Sequence, residues 1–182
     1  MGHINNKKEL IIKFFVFIIV FTSLCFVISC NIRKVKVLVI SDVTSNEKLE
    51  FYLPNNNFSL GYTHSVMKTP VEEYFYINEY NQIVLEKTIY KSYGVGLPFL
   101  SEEGELEIVN GDFILKLNRV FNELNMVISP IPKHWLTIGE KKYEFNNILE
   151  VPNSTIKIYI TQKYKLKSFL NKISLESIIF IN

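Results

Sequence analysis

Two runs of alternating apolar and polar residues, separated by a short polar turn, form the clearest pattern in the chain. In residues 58–66 the apolar side chains fall on every second position, and the same period continues through residues 71–77. A period of two is typical of β-strands that bury one face. If residues 67–70 form a four-residue hairpin loop, His64 lies opposite Glu73 on the apolar face, so we expect these two side chains to pair.

Shorter apolar runs continue along the chain and are separated by turn residues. They occupy residues 35–40, 49–53, 82–92, 105–109, 112–117, 123–128, 134–138, 142–145 and 155–162. Strands at this spacing are typical of an all-β sandwich or barrel. Asn110-Gly111 has the composition of a two-residue hairpin turn, and Gly139-Glu140 is a second candidate. The pattern predicts a mostly β fold over residues 35–162, either an antiparallel β-sandwich or a partly closed β-barrel.

Residues 1–30 follow a different pattern, in which three lysines surround the start of an apolar run over residues 14–28. A basic flank before a short apolar run is typical of a secretory signal, whereas a membrane-spanning helix needs about 17–25 residues. The sequence Val-Ile-Ser-Cys at residues 27–30 resembles a lipobox, in which the cysteine carries the lipid. We therefore predict a retained N-terminal helix or a lipidated Cys30, with the β domain on the extracytoplasmic face of the cell membrane. A buried helix of a soluble domain fits the basic flank less well.

Residues 163–182 form a basic tail with a helical period. Four apolar residues with lysines among them predict a short helix: Leu166, Phe169, Leu170 and Ile173. A basic amphipathic helix can lie on an anionic membrane surface, or it can pack on the sheet as a cap. The pattern leaves both open, and residues 177–181 fit either a strand or a further helical turn.

Charge and cysteine content narrow the functional classes. The chain has 20 basic and 18 acidic residues, and three of the basic and one of the acidic lie in residues 1–29. The β domain is therefore close to neutral, which disfavours nucleic acid as a partner. Both cysteines, Cys25 and Cys30, lie in the N-terminal segment, so the β domain can form neither a disulfide nor a cysteine-based zinc site.

Three polar residues interrupt the apolar hairpin: His64, Glu72 and Glu73. They admit three interpretations, namely a buried pair that fixes strand register, a ligand- or partner-binding site, or a catalytic or metal site. The catalytic interpretation is the weakest, because Ser65 and His64 are neighbours on a strand and point to opposite faces. We expect no catalytic residue, no metal and no cofactor.

The candidate ligand- or partner-binding site combines several segments: His64, Ser65, Glu72, Glu73, Gly94, Gly96 and His134. No helix pattern follows Gly94-Val95-Gly96, so these residues predict a bulge or a tight crossover instead of a phosphate-binding loop. A zinc site would need His64 and His134 from distant segments, without the close ligand spacing of such sites.

Three motifs, in this order, carry a resemblance to a known family. They are His-Ser-Val-x-Lys-Thr-Pro-Val-Glu-Glu at residues 64–73, Ser-Tyr-Gly-Val-Gly-Leu-Pro at residues 92–98 and Ser-Pro-Ile-Pro-Lys-His at residues 129–134. Over residues 37–162 the chain resembles the bacterial domain-of-unknown-function 1850 family, with Val95 where that family often has alanine.

The resemblance implies a small exported, membrane-associated protein of a kind often encoded beside TRAP-type permeases and their TAXI-type solute-binding proteins. It therefore implies a non-enzymatic accessory or solute-contacting role in transport, with the membrane, a TRAP-type permease and its solute-binding protein as expected partners. Two alternatives come from other classes: a small hydrolase or metal-dependent enzyme centred on His64 and Glu73, and a structural surface lipoprotein.

Overall fold

Most of the chain folds into β-strands behind a long N-terminal helix. The computed structural model describes residues 2–91, 104–129, 131–149, 154–166 and 178–181. The helices are α1 (Gly2–Asn31) and α2 (Phe145–Ile148). The strands are β1 (Ile32–Asp42), β2 (Lys48–Tyr52), β3 (Asn57–Thr63), β4 (Pro70–Ile77), β5 (Ile83–Tyr90), β6 (Glu105–Val109), β7 (Asp112–Phe121), β8 (Glu123–Val127), β9 (Trp135–Ile138), β10 (Lys141–Glu144), β11 (Thr155–Leu166) and β12 (Ile178–Ile181).

Within these described residues, the strands form two antiparallel sheets that share one hydrophobic core. Sheet A has the strand order β12-β2-β1-β11-β8, and sheet B has the order β10-β9-β3-β4-β5-β7-β6. Each sheet ends in two edge strands instead of closing on itself. The predicted antiparallel β-sandwich is confirmed, and the molecule is not a closed barrel.

The strands lie where the apolar runs predicted them, with only their ends shifted. Both predicted two-residue turns are also present. Asn110 and Gly111 have positive φ angles of 53° and 86°, as a tight hairpin between β6 and β7 requires. Gly139 has a φ of 59° between β9 and β10, where Ile138 pairs with Lys141.

The core lies between the sheets and contains the inward-facing side chains of both. Leu38 and Ile40 of β1 are fully buried beside Ile158 of β11 in sheet A. In sheet B, the rings of Phe58 and Phe75 stack with centroids 5.1 Å apart on β3 and β4. Full burial of a side chain of this size contributes about 1.5–3 kcal/mol, so this core is the main source of the sandwich's stability.

Helix α1 is longer than the apolar run that predicted it. Its segment Glu9–Asn31 has the length and the apolar composition needed to cross a membrane, and none of it is buried against the sandwich. Within it, Lys13 forms an ion pair with Glu9, with Nζ and Oε1 2.8 Å apart. These properties fit a membrane anchor or a signal sequence. Helix α1 leads directly into β1 without a linker.

The register of the β3–β4 hairpin differs from the prediction. Leu60 pairs with Glu73, and Thr63 pairs with Pro70, so the predicted opposition of His64 and Glu73 is wrong by four residues. The loop is longer than predicted because it contains its own turn. The Lys68 amide donates to the His64 carbonyl over 2.9 Å, with Lys68 at a φ of 55°. Because the shift is even, the side chains keep their predicted faces.

The basic C-terminal tail also differs from the prediction. Residues 163–166 are part of β11 and pair with residues 32–35 of β1, so the helical prediction is wrong for them. Pairing along the whole of β1 favours strand over the local helical period. Residues 167–177 lie outside the described part of the chain, and residues 178–181 are strand. The short helix near the C-terminus is α2, which begins at Phe145, the last residue of a predicted strand.

Candidate functional site

A cavity of about 660 Å³ lies between the two sheets and includes the end of the β3–β4 hairpin. Sheet B contributes residues of β3, β4, β5 and β7, and sheet A contributes β8. Its apolar wall is formed by Leu60, Phe75, Leu85, Phe121, Leu124 and Met126. Its polar groups include Tyr62, His64, Glu73, Arg119, Glu123 and His134. The cavity therefore brings together four of the residues predicted from sequence, namely His64, Ser65, Glu73 and His134.

Glu73 places a carboxyl group on the wall of this cavity. It is half-buried on β4 and shares a face with Phe75. Burial raises the pKa of the Glu73 carboxyl. Among the residues that the structure describes, its carboxylate makes no hydrogen bond and no ion pair. Glu73 is thus an inward-facing hydrogen-bonding group that a ligand could satisfy.

His64 is held by the turn that follows β3 and is only 6% exposed. Its Nδ1 accepts hydrogen bonds from the backbone amides of Val66 and Met67, over 3.3 and 3.2 Å. The proton of the neutral ring therefore lies on Nε2. Its own amide donates to the Thr69 carbonyl over 2.9 Å, which closes the loop. His64 consequently has a structural role in the turn as well as a place in the cavity wall.

His134 comes from the segment before β9 and lies beside Tyr62, with ring centroids 6.1 Å apart. Burial lowers the pKa of His134, and a hydrogen bond to the Ser129 backbone partly offsets that effect. Its Nδ1 is buried and has no hydrogen-bond partner within the described residues. Burial also raises the pKa of Tyr62, and the nearby charge of Glu73 raises it further. The inner part of the cavity thus favours uncharged imidazole and phenol groups.

Sequence reasoning missed the contribution of β7 and β8. The chain passes from sheet B to sheet A at Asn122, so β7 and β8 place Arg119 and Glu123 on the cavity wall. The Glu123 carboxylate lies 3.1 Å from Lys157 Nζ, and this contact lowers the pKa of Glu123. The signal that could have revealed this crossing is a single polar residue between two strand patterns.

Glu72, one of the residues that the sequence predicts for the site, faces away from the cavity. Its carboxylate accepts hydrogen bonds from Trp135 Nε1 over 3.2 Å and from the Tyr74 hydroxyl over 2.7 Å. Burial and the bond to Glu72 raise the pKa of Tyr74 to about 12. Lys142 Nζ lies 3.6 Å from the centroid of the Trp135 ring, which lies over Gly61. These contacts give Glu72 a structural role on the outer face of sheet B.

The other predicted site residues have separate positions. Ser65 is exposed in the loop and lines the cavity beside His64. Gly94 and Gly96 lie outside the described residues, so the Gly-x-Gly prediction is untested. Cys30 is exposed near the end of α1. Across the part of the chain that the structure describes, no group of three or more histidine, cysteine, aspartate or glutamate side chains is placed to hold a metal ion.

Comparison with known proteins identifies a family for the central part of the chain. Residues 58–145 match the family described as Domain of unknown function (DUF1850). The matched region extends from β3 to the start of α2 and contains every cavity residue named above. Comparisons with curated proteins and with solved structures gave no match. This match identifies residues 58–145 as a DUF1850 domain.

Proposed function

We propose that this protein is a membrane-anchored, extracytoplasmic binding component that holds a small organic solute between its two sheets. The observation that carries the proposal is Glu73, a half-buried carboxyl on the wall of a 660 Å³ cavity that has no hydrogen-bond or ion-pair partner among the described residues. Cavities of about 300–1,000 Å³ with apolar walls and few polar groups are typical of small-molecule sites. The proposed role is binding of the solute without its chemical conversion.

The cavity lining indicates the kind of solute. Phe75, Leu124 and Met126 provide an apolar surface, which favours a ligand with an apolar body. The raised pKa of Glu73 and the lowered pKa of His134 favour the uncharged forms of both groups. We expect a ligand with a hydrogen-bonding group that faces Glu73, because a polar group buried in the cavity needs a partner.

We further propose that this binding component serves a secondary transport system of the TRAP type with TAXI-type solute-binding proteins. This part of the proposal rests on the family resemblance and on the apolar helix α1, which fits a membrane anchor. A domain held at the membrane surface could contact a permease and pass a solute to it or sense that solute. The membrane, the permease and its solute-binding protein are the proposed partners.

One purification tests both parts of the proposal. The full-length chain is isolated by an affinity tag from detergent-solubilised native membranes, and mass spectrometry identifies co-purifying proteins and small molecules. Glu73→Gln is compared with Glu72→Gln, which changes the neighbouring carboxylate on the opposite face of β4. We expect wild type and Glu72→Gln to retain a small organic molecule and a TRAP-type permease, and Glu73→Gln to lose the small molecule.

The solute site and the transport assignment can each be contradicted without the other. Equal retention of the small molecule by Glu73→Gln and wild type, or its absence from wild type, would contradict a solute site at Glu73. Absence of a permease from every sample would contradict the transport assignment and leave the solute site standing. Turnover of the retained molecule by the wild-type protein would favour the enzymatic alternative.

A further inference from the structure

The junction between α1 and the sandwich is a short two-stranded ribbon, which we call the neck. It consists of residues 32–34 of β1 paired with residues 164–166 of β11. Ile32, Arg33 and Lys34 are exposed, unlike the following residues of β1. Tyr164 is 72% exposed. The neck therefore projects from the packed part of sheet A towards the end of the anchor.

The neck lies close to any membrane that α1 enters. The apolar run ends at Ile28, and a helical rise of about 1.5 Å per residue places Ile32 about 6 Å beyond it. A strand rise of about 3.3 Å per residue places Lys34 at most about 7 Å further. The polar layer of a bilayer is about 5–7 Å thick on each side. If Cys30 carries the lipid instead, the neck still begins two residues after the attachment point.

The side chains of the neck match the chemistry of that layer. The strand register places Arg33 opposite Lys165, with Lys34 opposite Tyr164. None of the six neck residues is acidic. Tyrosine favours the membrane–water interface, and clustered lysine and arginine beside an anchor attract anionic lipid. Lys163, the next basic residue of β11, is held by the Glu50 carboxylate over 2.6 Å and lies outside the neck.

We propose that the neck binds the headgroups of anionic phospholipids in the leaflet that holds the anchor. Arg33 and Lys34 contact the phosphate groups, and Tyr164 lies at the interface. This binding fixes the orientation of the sandwich on the membrane. It depends on membrane anchoring and is independent of the cavity and its solute.

Native mass spectrometry of the full-length chain tests the proposal. The protein is equilibrated in mild detergent with equal amounts of phosphatidylglycerol and phosphatidylcholine, and the retained lipid is counted. The neck variant is Arg33→Gln/Lys34→Gln. The control is Lys48→Gln/Lys68→Gln, which removes the same charge from exposed sites outside the neck. Each basic side chain near the surface is expected to raise the affinity for anionic lipid about fivefold. The neck variant, which lacks two of them, should therefore lose about 25-fold of its preference for phosphatidylglycerol, and the control should keep that preference.

A second measurement needs no variant. Raising the salt concentration from 20 to 500 mM shortens the electrostatic screening length from about 20 to about 4 Å. This change should weaken the preference of the wild-type protein for phosphatidylglycerol. Equal phosphatidylglycerol retention by the neck and control variants would overturn the proposal. So would equal retention of the two lipids by wild type, or a preference that salt leaves unchanged.

Discussion

Adjacent carboxylates on β4 have different roles because strand geometry sends them to opposite faces. Glu73 faces the cavity without a hydrogen-bond partner in the described residues, whereas Glu72 accepts bonds from Trp135 and Tyr74. The alternation of apolar residues predicted the inward direction of Glu73. It could not predict the partner of Glu72, because Trp135 is 63 residues away in the sequence.

Glu73 should make the stability of the protein depend on pH. Because burial raises its pKa in the folded state, the folded chain holds this proton to a higher pH than the unfolded chain does. The resulting stabilisation is present below the ordinary value of 4.5 and is lost as pH rises through the raised pKa. The Glu73→Gln variant has no carboxyl to titrate at this position, so it does not lose this stabilisation. The free energy of unfolding of the variant, relative to that of wild type, should therefore increase from pH 4 to pH 8, by about 1.4 kcal/mol per unit of pKa shift.

The thermal unfolding midpoint of the full-length chain, followed across this pH range, measures the effect. Glu86→Gln, at an exposed position of β5, is the matched control and should run parallel to wild type. Parallel profiles for Glu73→Gln and wild type would show that the carboxyl does not titrate differently on folding.

His64 should matter for stability through the turn that it closes. His64→Ala removes the Nδ1 acceptor of the Val66 and Met67 amides, and we expect a loss of about 1–2 kcal/mol in the free energy of unfolding. Asparagine can accept from the amides two and three residues ahead, as in Asx turns. His64→Asn should therefore recover about half of the loss. Denaturant unfolding measures both, and equal losses in the two variants would refute the capping role.

At the scale of elements, sequence patterns predicted the strands but not the hairpin register. Alternation identifies which residues share a face, and this holds for any even shift in pairing. The loop length decides the register, and here it depends on Lys68 adopting a positive φ and on the imidazole of His64 accepting backbone amides. Neither residue is a typical turn former, so local composition favoured a shorter loop.

The cavity wall was only half predictable for a related reason. His64 and Glu73 are on one hairpin, and their shared face follows from the period of two. The opposite wall comes from β8, which lies in the other sheet because the chain crosses at Asn122. Sheet membership depends on long-range pairing of β8 with β11, for which a single sequence gives no direct signal.

The packing of β9 against β3 predicts a specific requirement for glycine at residue 61. A Cβ added to Gly61 would lie 2.1 Å from Cε2 of Trp135, closer than any tolerated contact. Gly61→Ala should therefore displace the indole and break its bond to Glu72, with a cost of about 1–3 kcal/mol. Trp135 is the single tryptophan of the chain, so a red shift of its fluorescence reports the displacement directly.

A double-mutant cycle separates this contact from a general effect of alanine in a strand. In a Trp135→Val background, Gly61→Ala should cost much less than in wild type, because the clashing ring is absent. The same cost in both backgrounds, with unshifted wild-type fluorescence, would rule out the clash with Trp135.

At the scale of the whole molecule, the end of helix α1 and the cavity are separated along β11. The neck involves residues 164–166, whereas β8 and its cavity residues pair with residues 155–159. Six residues of strand span about 20 Å. In the proposed arrangement, the neck would lie at the membrane surface and the solute site further out, as suits a component that binds solute beside a transport protein.

The central claim is that the space between the sheets is the solute site, and calorimetric titration tests it most directly. The small molecule retained during purification is titrated into wild type, Met126→Trp and Val127→Trp. Met126 lines the cavity, and its neighbour Val127 is 59% exposed. We predict at least about tenfold weaker binding for Met126→Trp, because the larger side chain occupies the cavity, and wild-type affinity for Val127→Trp. Unchanged affinity in a folded Met126→Trp variant would place the solute outside the cavity and contradict the account.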